Sequence, residues 1–268
     1  MIAAHPRMSF VFMSPHFDDI VLSCAVSIMK LLENGHVCRV VTVCGGDPET
    51  GVRIGEVARQ YLAEDLGLAP DTAITGAHVR QWLEQRKRED REALRLIEVR
   101  DFHLLTVPDA IYRGGQNLYY DKEAHLFGTP RPEDEQAVVG EVTRYALSFD
   151  ADRKWCWVFP AVSAHVDHRI LKRAGLALRN LGFTVVFYAD FPYWRESVAF
   201  PHAGWTRVDL WDGKYGNRKK TAIMAYRSQL TGLFGTSSPE EVAGKLSALE
   251  MFWVCNTRQD LIHLLRSL

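Results

Sequence analysis

Apolar residues occur in this chain as short unbroken runs that alternate with longer stretches of helical spacing. Residues 9–13 (Ser-Phe-Val-Phe-Met) form the first run and stop at Ser14-Pro15, which predicts a buried strand. Over 18–32, Ile20, Leu22, Val26, Met29 and Leu32 can share one buried face, so a helix is expected. Residues 39–44 make a second strand closed by Gly45-Gly46-Asp47-Pro48, and a helix over 55–66 ends near Gly67. The stretch 85–99 is charged on one side, with Leu94, Leu96, Ile97 and Val99 towards the core. Further strands are predicted at 102–107, 155–159 and 184–188, with helices over 133–147 and 167–181. The C-terminal part adds strands at 206–211 and 251–255 and a helix around 215–231. Alternating helices and continuously apolar strands predict an α/β fold. The expectation is a Rossmann-like, mostly parallel sheet with helices on both faces, in a single domain over 1–268.

Composition narrows the class. Of 268 residues 47% are hydrophobic, enough for one full core, and no stretch has the composition of a linker. The formal net charge is −1 with the charges interspersed, which leaves no electrostatic footprint for nucleic acid or an anionic membrane. A small-molecule partner is expected, and a homo-oligomer is compatible. Cys24, Cys38, Cys44, Cys156 and Cys255 are scattered, odd in number and partly inside apolar runs, as for buried reduced thiols. Residues 1–8 carry no apolar segment of signal length, and no run reaches the roughly 18 residues that span a membrane. A cytoplasmic protein is expected. Gly45-Gly46 lacks the G-x-G-x-x-G pattern, so no dinucleotide site is indicated. The connection 109–132 is long enough to suggest a functional role.

Two polar clusters fall just past strand ends, the edge of an open α/β sheet where ligands bind. The first is Ser14-Pro15-His16-Phe17-Asp18-Asp19. Asp18 or Asp19 alone would read as a helix cap. Three ionisable groups in four residues exceed what a cap needs, and adjacent carboxylates repel unless a cation or proton relieves them. The second is His165-Val166-Asp167-His168. One histidine can bind a metal while the aspartate orients the other. Together the clusters hold the inventory of a hydrolytic zinc centre: histidine and carboxylate ligands, with a carboxylate and an imidazole to spare.

These residues resemble the PIG-L/LmbE-like family of zinc-dependent N-deacetylases. Pro15-His16-Phe17-Asp18-Asp19 resembles its PHPDD-type motif and His165-Val166-Asp167-His168 its HxDH motif. The likeness continues in Arg86-x-x-Glu89-Asp90-x-x-Ala93, Val107-Pro108-Asp109 and the stretch ending Tyr226-Arg227-Ser228-Gln229. It implies Zn²⁺ bound by His16, Asp19 and His168, Asp18 as general base, and His165 stabilising or protonating the reacting centre. Asp167 would support them and favour a protonated His165. Phe17 stands where the family usually has proline. The implied activity is hydrolysis of the N-acetyl amide of an amino sugar such as an N-acetylglucosamine unit, with antibiotic biosynthesis as a setting. A non-haem Fe(II) enzyme on the same His/Asp/His site, or a non-catalytic sugar-binding protein, are the alternatives.

Other residues carry weaker signals. The run Arg86-Lys87-Arg88 reads first as a solvated helix face. Asp109, Tyr112 and Arg113 could meet substrate hydroxyls or form a polar loop. The aromatics over 187–194 could stack on a sugar, with core packing slightly favoured. His36, His78, His103, His125, His202 and His263 stand alone and are not read as ligands. Specificity is expected in 109–132 and 191–203.

Overall fold

A computed structural model describes residues 6–69, 71–194 and 203–268. Seven strands form one sheet: β1 (Ser9–Ser14), β2 (Val37–Thr42), β3 (Asp101–Leu104), β4 (Cys156–Pro160), β5 (Thr184–Tyr188), β6 (Trp205–Trp211) and β7 (Leu249–Cys255). Their order is β3-β2-β1-β4-β5-β7-β6. The first five are parallel, whereas β7 runs antiparallel to β5, and β6 antiparallel to β7. β4, and β1 from Phe10 onward, are continuously buried because helices cover both faces. The chain leaves β1 towards β2 and β3 and later returns to β4 on β1's other side. That reversal opens a crevice at the carboxyl ends of β1 and β4.

The helices are α1 (Asp19–Glu33), α2 (Glu56–Asp65), α3 (Gly76–Leu96), α4 (Glu123–Leu126), α5 (Pro132–Phe149), α6 (Val166–Asn180), α7 (Gly213–Ile223), α8 (Leu230–Phe234), α9 (Pro239–Lys245) and α10 (Gln259–Ser267). Apolar residues of α1, α7 and α10 pack on one sheet face with Phe10, Phe12 and Val40. Those of α5 and α6 pack on the other with Val11, Trp157 and Phe187. Gly175 lets α6 lie close to the sheet, since a Cβ there would sit 2.8 Å from the Phe159 ring. A third cluster, including Phe17, Val57, Trp82, Tyr112 and Val166, closes the crevice end of the molecule.

Two elements differ from expectation. The segment 85–99 is the second half of a helix that begins at Gly76, because Val79, Trp82 and Leu83 are buried in the third cluster. The helix expected over 215–231 stops at Ile223 and resumes at Leu230. The turn between is held by Ser228 and Gln229, which bond Glu89 and Asp65. The five cysteines are free and four are buried. Among the described residues no helix is long and apolar enough to cross a membrane.

One buried ion pair ties the antiparallel edge to the first helix. Glu250 of β7 is 1% exposed and accepts the N–H groups of Val26 and Ser27 at 2.9 and 2.8 Å. Lys219 of α7 donates to the same carboxylate at 2.8 Å. Removing one partner strands a buried charge, which is far costlier than losing the pair. Lys219→Met should lower unfolding free energy by about 3–5 kcal/mol in urea titrations. The double change Lys219→Met, Glu250→Gln should recover part of that loss.

Candidate active site

The crevice collects residues from the carboxyl ends of four parallel strands. His16, Asp18 and Asp19 follow β1, Asp109 lies beyond β3, His165 to His168 follow β4, and Asp190 follows β5. Asp18 occupies the N-cap position of α1, yet its side chain makes no capping bond. Both Asp18 and Asp19 are buried. Capping therefore does not account for this acidic pair.

His16, Asp19 and His168 offer ligand atoms within 4.8 Å of one another. His16 Nδ1 lies 3.2 Å from Asp19 Oδ2, and His168 Nε2 lies 3.4 Å from Asp19 Oδ1. Each imidazole has a buried carboxylate at its other nitrogen. Asp167 Oδ2 is 3.1 Å from His16 Nε2, and Asp190 Oδ2 is 2.7 Å from His168 Nδ1. This is the carboxylate–histidine pairing that fixes ring orientation and leaves the free nitrogen for a metal.

The same two aspartates lock the surrounding loops. Asp190 accepts the N–H groups of Ala161, Val162 and Ser163 at 2.7–3.1 Å, shaping the lead-in to α6. Asp167 accepts from Ala110 N–H and from the Arg113 guanidinium, which also pairs with Asp134. Sequence reasoning missed Asp190. Its signal was its place, two residues past a buried parallel strand at the ligand-binding edge.

Charge state shows what the cluster lacks. Burial opposes charge on His16, but Asp167, Asp19 and Asp109 outweigh it and hold its pKa well above the ordinary value. His168 is likewise raised against its burial by Asp19 and Asp190. Burial would lift Asp19 and Asp167. His168 and His16 pull Asp19 down instead, and Arg113 and His16 pull down Asp167. The imidazoles thus hold protons to satisfy the carboxylates around them. A divalent cation does the same by displacing those protons, so the donor set fits a metal.

His165 and Asp18 flank the triad. His16, His165 and Asp167 form a second triad within 4.8 Å, but Asp167 is committed to His16 and Arg113. His165 Nδ1 accepts the Asp167 N–H at 3.3 Å and so caps α6. Burial, with His16 close by, pushes His165 down to about 3. That lowering works against the imidazolium expected from the Asp167 pairing, and the bond to Nδ1 leaves Nε2 as the position for a ring proton. Burial raises Asp18, opposed by Arg86 and reinforced by Asp19.

These groups open into a cavity of about 430 Å³, within the range of small-molecule sites. Arg86 lies in its wall, only 7% exposed, so the solvated-face reading fails for it while Arg88 remains exposed. Its guanidinium stands 3.7 Å from Asp18, 4.0 Å from Asp109 and over the Trp82 ring, and its Nε has no hydrogen-bond partner. Phe17 is buried beside it in the third cluster. The 109–132 connection contributes Asp109, Ile111, Glu123 and Phe127 to the wall. Tyr112 and Arg113 are buried behind it. Phe187 and Tyr188 are core residues, whereas Tyr193 contacts the His168 ring and reaches the cavity. Of the 191–203 specificity stretch, residues 195–202 lie outside the described residues.

Comparison with known proteins identifies the family. The model of the PIG-L family, described as GlcNAc-PI de-N-acetylase, matches residues 11–178. A 2′-N-acetylparomamine deacetylase of Niallia circulans is 43% identical over 265 residues, covering 98% of this chain and 96% of the relative. A teicoplanin deacetylase, solved in a zinc-inhibited form, superposes with a TM-score of 0.71 at 23% identity, over 92% of this chain and 97% of that one. The N,N′-diacetylchitobiose deacetylase of Pyrococcus horikoshii has the same fold, with a TM-score of 0.53 at 14% identity over 94% and 85% of the two chains. The chain belongs to the PIG-L family of GlcNAc-PI de-N-acetylases and is a hydrolytic N-deacetylase.

Proposed function

We propose that the protein removes the N-acetyl group from an amino sugar of an aminoglycoside-type metabolite, with zinc held by His16, Asp19 and His168. The observation that carries this reading is the pair of carboxylate-backed imidazoles on either side of Asp19, with Asp18 beside them and uncommitted to a cap. The 43%-identical relative, named for 2′-N-acetylparomamine, supports the substrate class. Zinc with three protein donors supplies a Lewis acid for the acyl oxygen and lowers the pKa of water towards about 7.

The chain's own groups supply the proton transfers. Asp18 accepts the proton of the attacking water, and its raised pKa makes it a better base than an ordinary carboxylate. Once protonated, the same carboxyl can hand that proton to the departing nitrogen, so acetate and free amine leave in balance. His165 presents Nε2–H to the cavity and donates a hydrogen bond to the developing oxyanion. Arg86 and Asp109 together offer a donor and an acceptor to sugar hydroxyls. Further out, Glu64, Asp65 and Glu123 line the wall, the charge that suits the ammonium groups of an aminoglycoside.

Asp18→Asn should keep its zinc, measured by elemental analysis, and lose about 10²–10⁴-fold in kcat. An active Asp18→Asn enzyme would remove the base assignment. Chelation should abolish acetate release and added zinc restore it. Glu64→Gln and Glu123→Gln should each raise KM for a cationic N-acetylated substrate about two- to fivefold, as expected for solvent-screened charges. Neither should alter KM for a neutral N-acetylglucosaminide; an equal rise on both substrates would remove the ammonium-recognition role.

A further inference from the structure

The acidic stretch of α3 and the turn after α7 meet beneath the catalytic loop, and neither takes part in the chemistry above. Two of their contacts are ordinary donor–carboxylate bonds. Ser228 gives its N–H and hydroxyl to Glu89 at 3.1 and 2.7 Å, and Gln229 gives its amide to Asp65 of α2 at 2.7 Å. The third contact is different. The Tyr226 hydroxyl lies 3.0 Å from the carbonyl oxygen of Phe17 and 2.9 Å from Asp90 Oδ1. Tyr226 is 1% exposed and Asp90 is 3% exposed, so water does not intervene freely.

A phenol has one hydrogen, and a carbonyl oxygen can only accept. With Asp90 ionised, the Phe17 carbonyl and the carboxylate compete for that hydrogen, and the loser is a buried acceptor facing an oxygen. With Asp90 protonated, every group is satisfied in one chain: Asp90 donates to Tyr226, and Tyr226 donates to Phe17. We infer that Asp90 is held as a neutral carboxylic acid which, through Tyr226, fixes the peptide between Phe17 and Asp18 and so positions the Asp18 carboxylate. Asp90 and Tyr226 are positioning residues, and their effect on turnover rests on the proposed role of Asp18.

Burial favours this state over the opposing charges around Asp90. Burial pushes its pKa up to about 8. The Tyr226 bond, and Arg86 and Arg91 of α3, pull the other way, while Asp18 of the catalytic loop adds to the rise. The native state therefore keeps a proton that the unfolded chain has already released. Asp90's own contribution to stability therefore falls as pH rises from roughly 4, the unfolded carboxylate value, to the native value of about 8.

The test compares the zinc-loaded wild type with Asp90→Asn, Asp90→Ala and Tyr226→Phe. Infrared difference spectra of wild type minus Asp90→Asn should show the C=O stretch of a protonated carboxyl at pH 7, lost as pH passes about 8. Wild-type stability should decline over that pH range relative to Asp90→Asn, whose amide donates without titrating. Asp90→Asn should keep kcat within about threefold, while Asp90→Ala and Tyr226→Phe lose about tenfold at unchanged KM and zinc content, the size of one lost hydrogen bond. Absence of the carboxyl band would overturn the protonation state, and an Asp90→Ala enzyme with wild-type kcat would overturn the positioning role. An active Asp18→Asn enzyme that keeps the band would remove the base assignment alone, so the two failures are distinguishable.

Discussion

The site is organised by buried carboxylates whose charge the neighbouring arginines alone do not balance. Asp19, Asp109 and Asp167 crowd around His16, while Asp19 and Asp190 flank His168. Carboxylates in a low-dielectric crevice repel each other and lose hydration, so they persist only if something positive is shared among them. Arg113 and Arg86 meet part of that demand at the edges of the cluster. The centre is left for protons on the imidazoles or for a metal.

The same carboxylates are the structural pins of the crevice, so binding chemistry and loop geometry are coupled. Asp190 holds three successive backbone N–H groups ahead of α6 while it orients His168. Asp167 ties His16 to Arg113 and the loop beyond β3. Imidazoles supported this way are held in one orientation by their carboxylate partners. This support also separates the roles of neighbours in sequence. His165 and His168 are three residues apart, yet one caps a helix through Nδ1 and the other is carboxylate-backed.

Around this centre, the walls come from helices and connections outside the strand ends. The long connection after β3 and the segment after β5 supply Glu123, Phe127 and Tyr193 to the cavity. α2 and α3 supply Glu64, Asp65 and Arg86. The carboxylate and imidazole cluster is thus built at strand ends held by the sheet, while the outer walls of the cavity come from helices and connections.

The chain order of apolar runs was enough to read the parallel sheet, the helices between its strands and the edge where ligands bind, because a strand covered on both faces has no polar period. It did not show α4, α9 or α10. The two polar clusters and their family likeness pointed to His16, Asp18, Asp19, His165, Asp167 and His168. Partnership was not legible. Asp190, Arg113 and Asp90 are ordinary acidic and basic residues in sequence, distinguished only by burial and by the side chain each one meets. Arg86 reads as part of a solvated charge run until the helix is seen to turn it into the crevice. Asp167 reads as the partner of His165 until folding brings His16, 151 residues away in sequence, to its oxygen. Local spacing sets which groups are available, whereas hydrogen-bond pairing and charge state are decided by long-range packing, which removes water and leaves each group only the neighbours the fold provides.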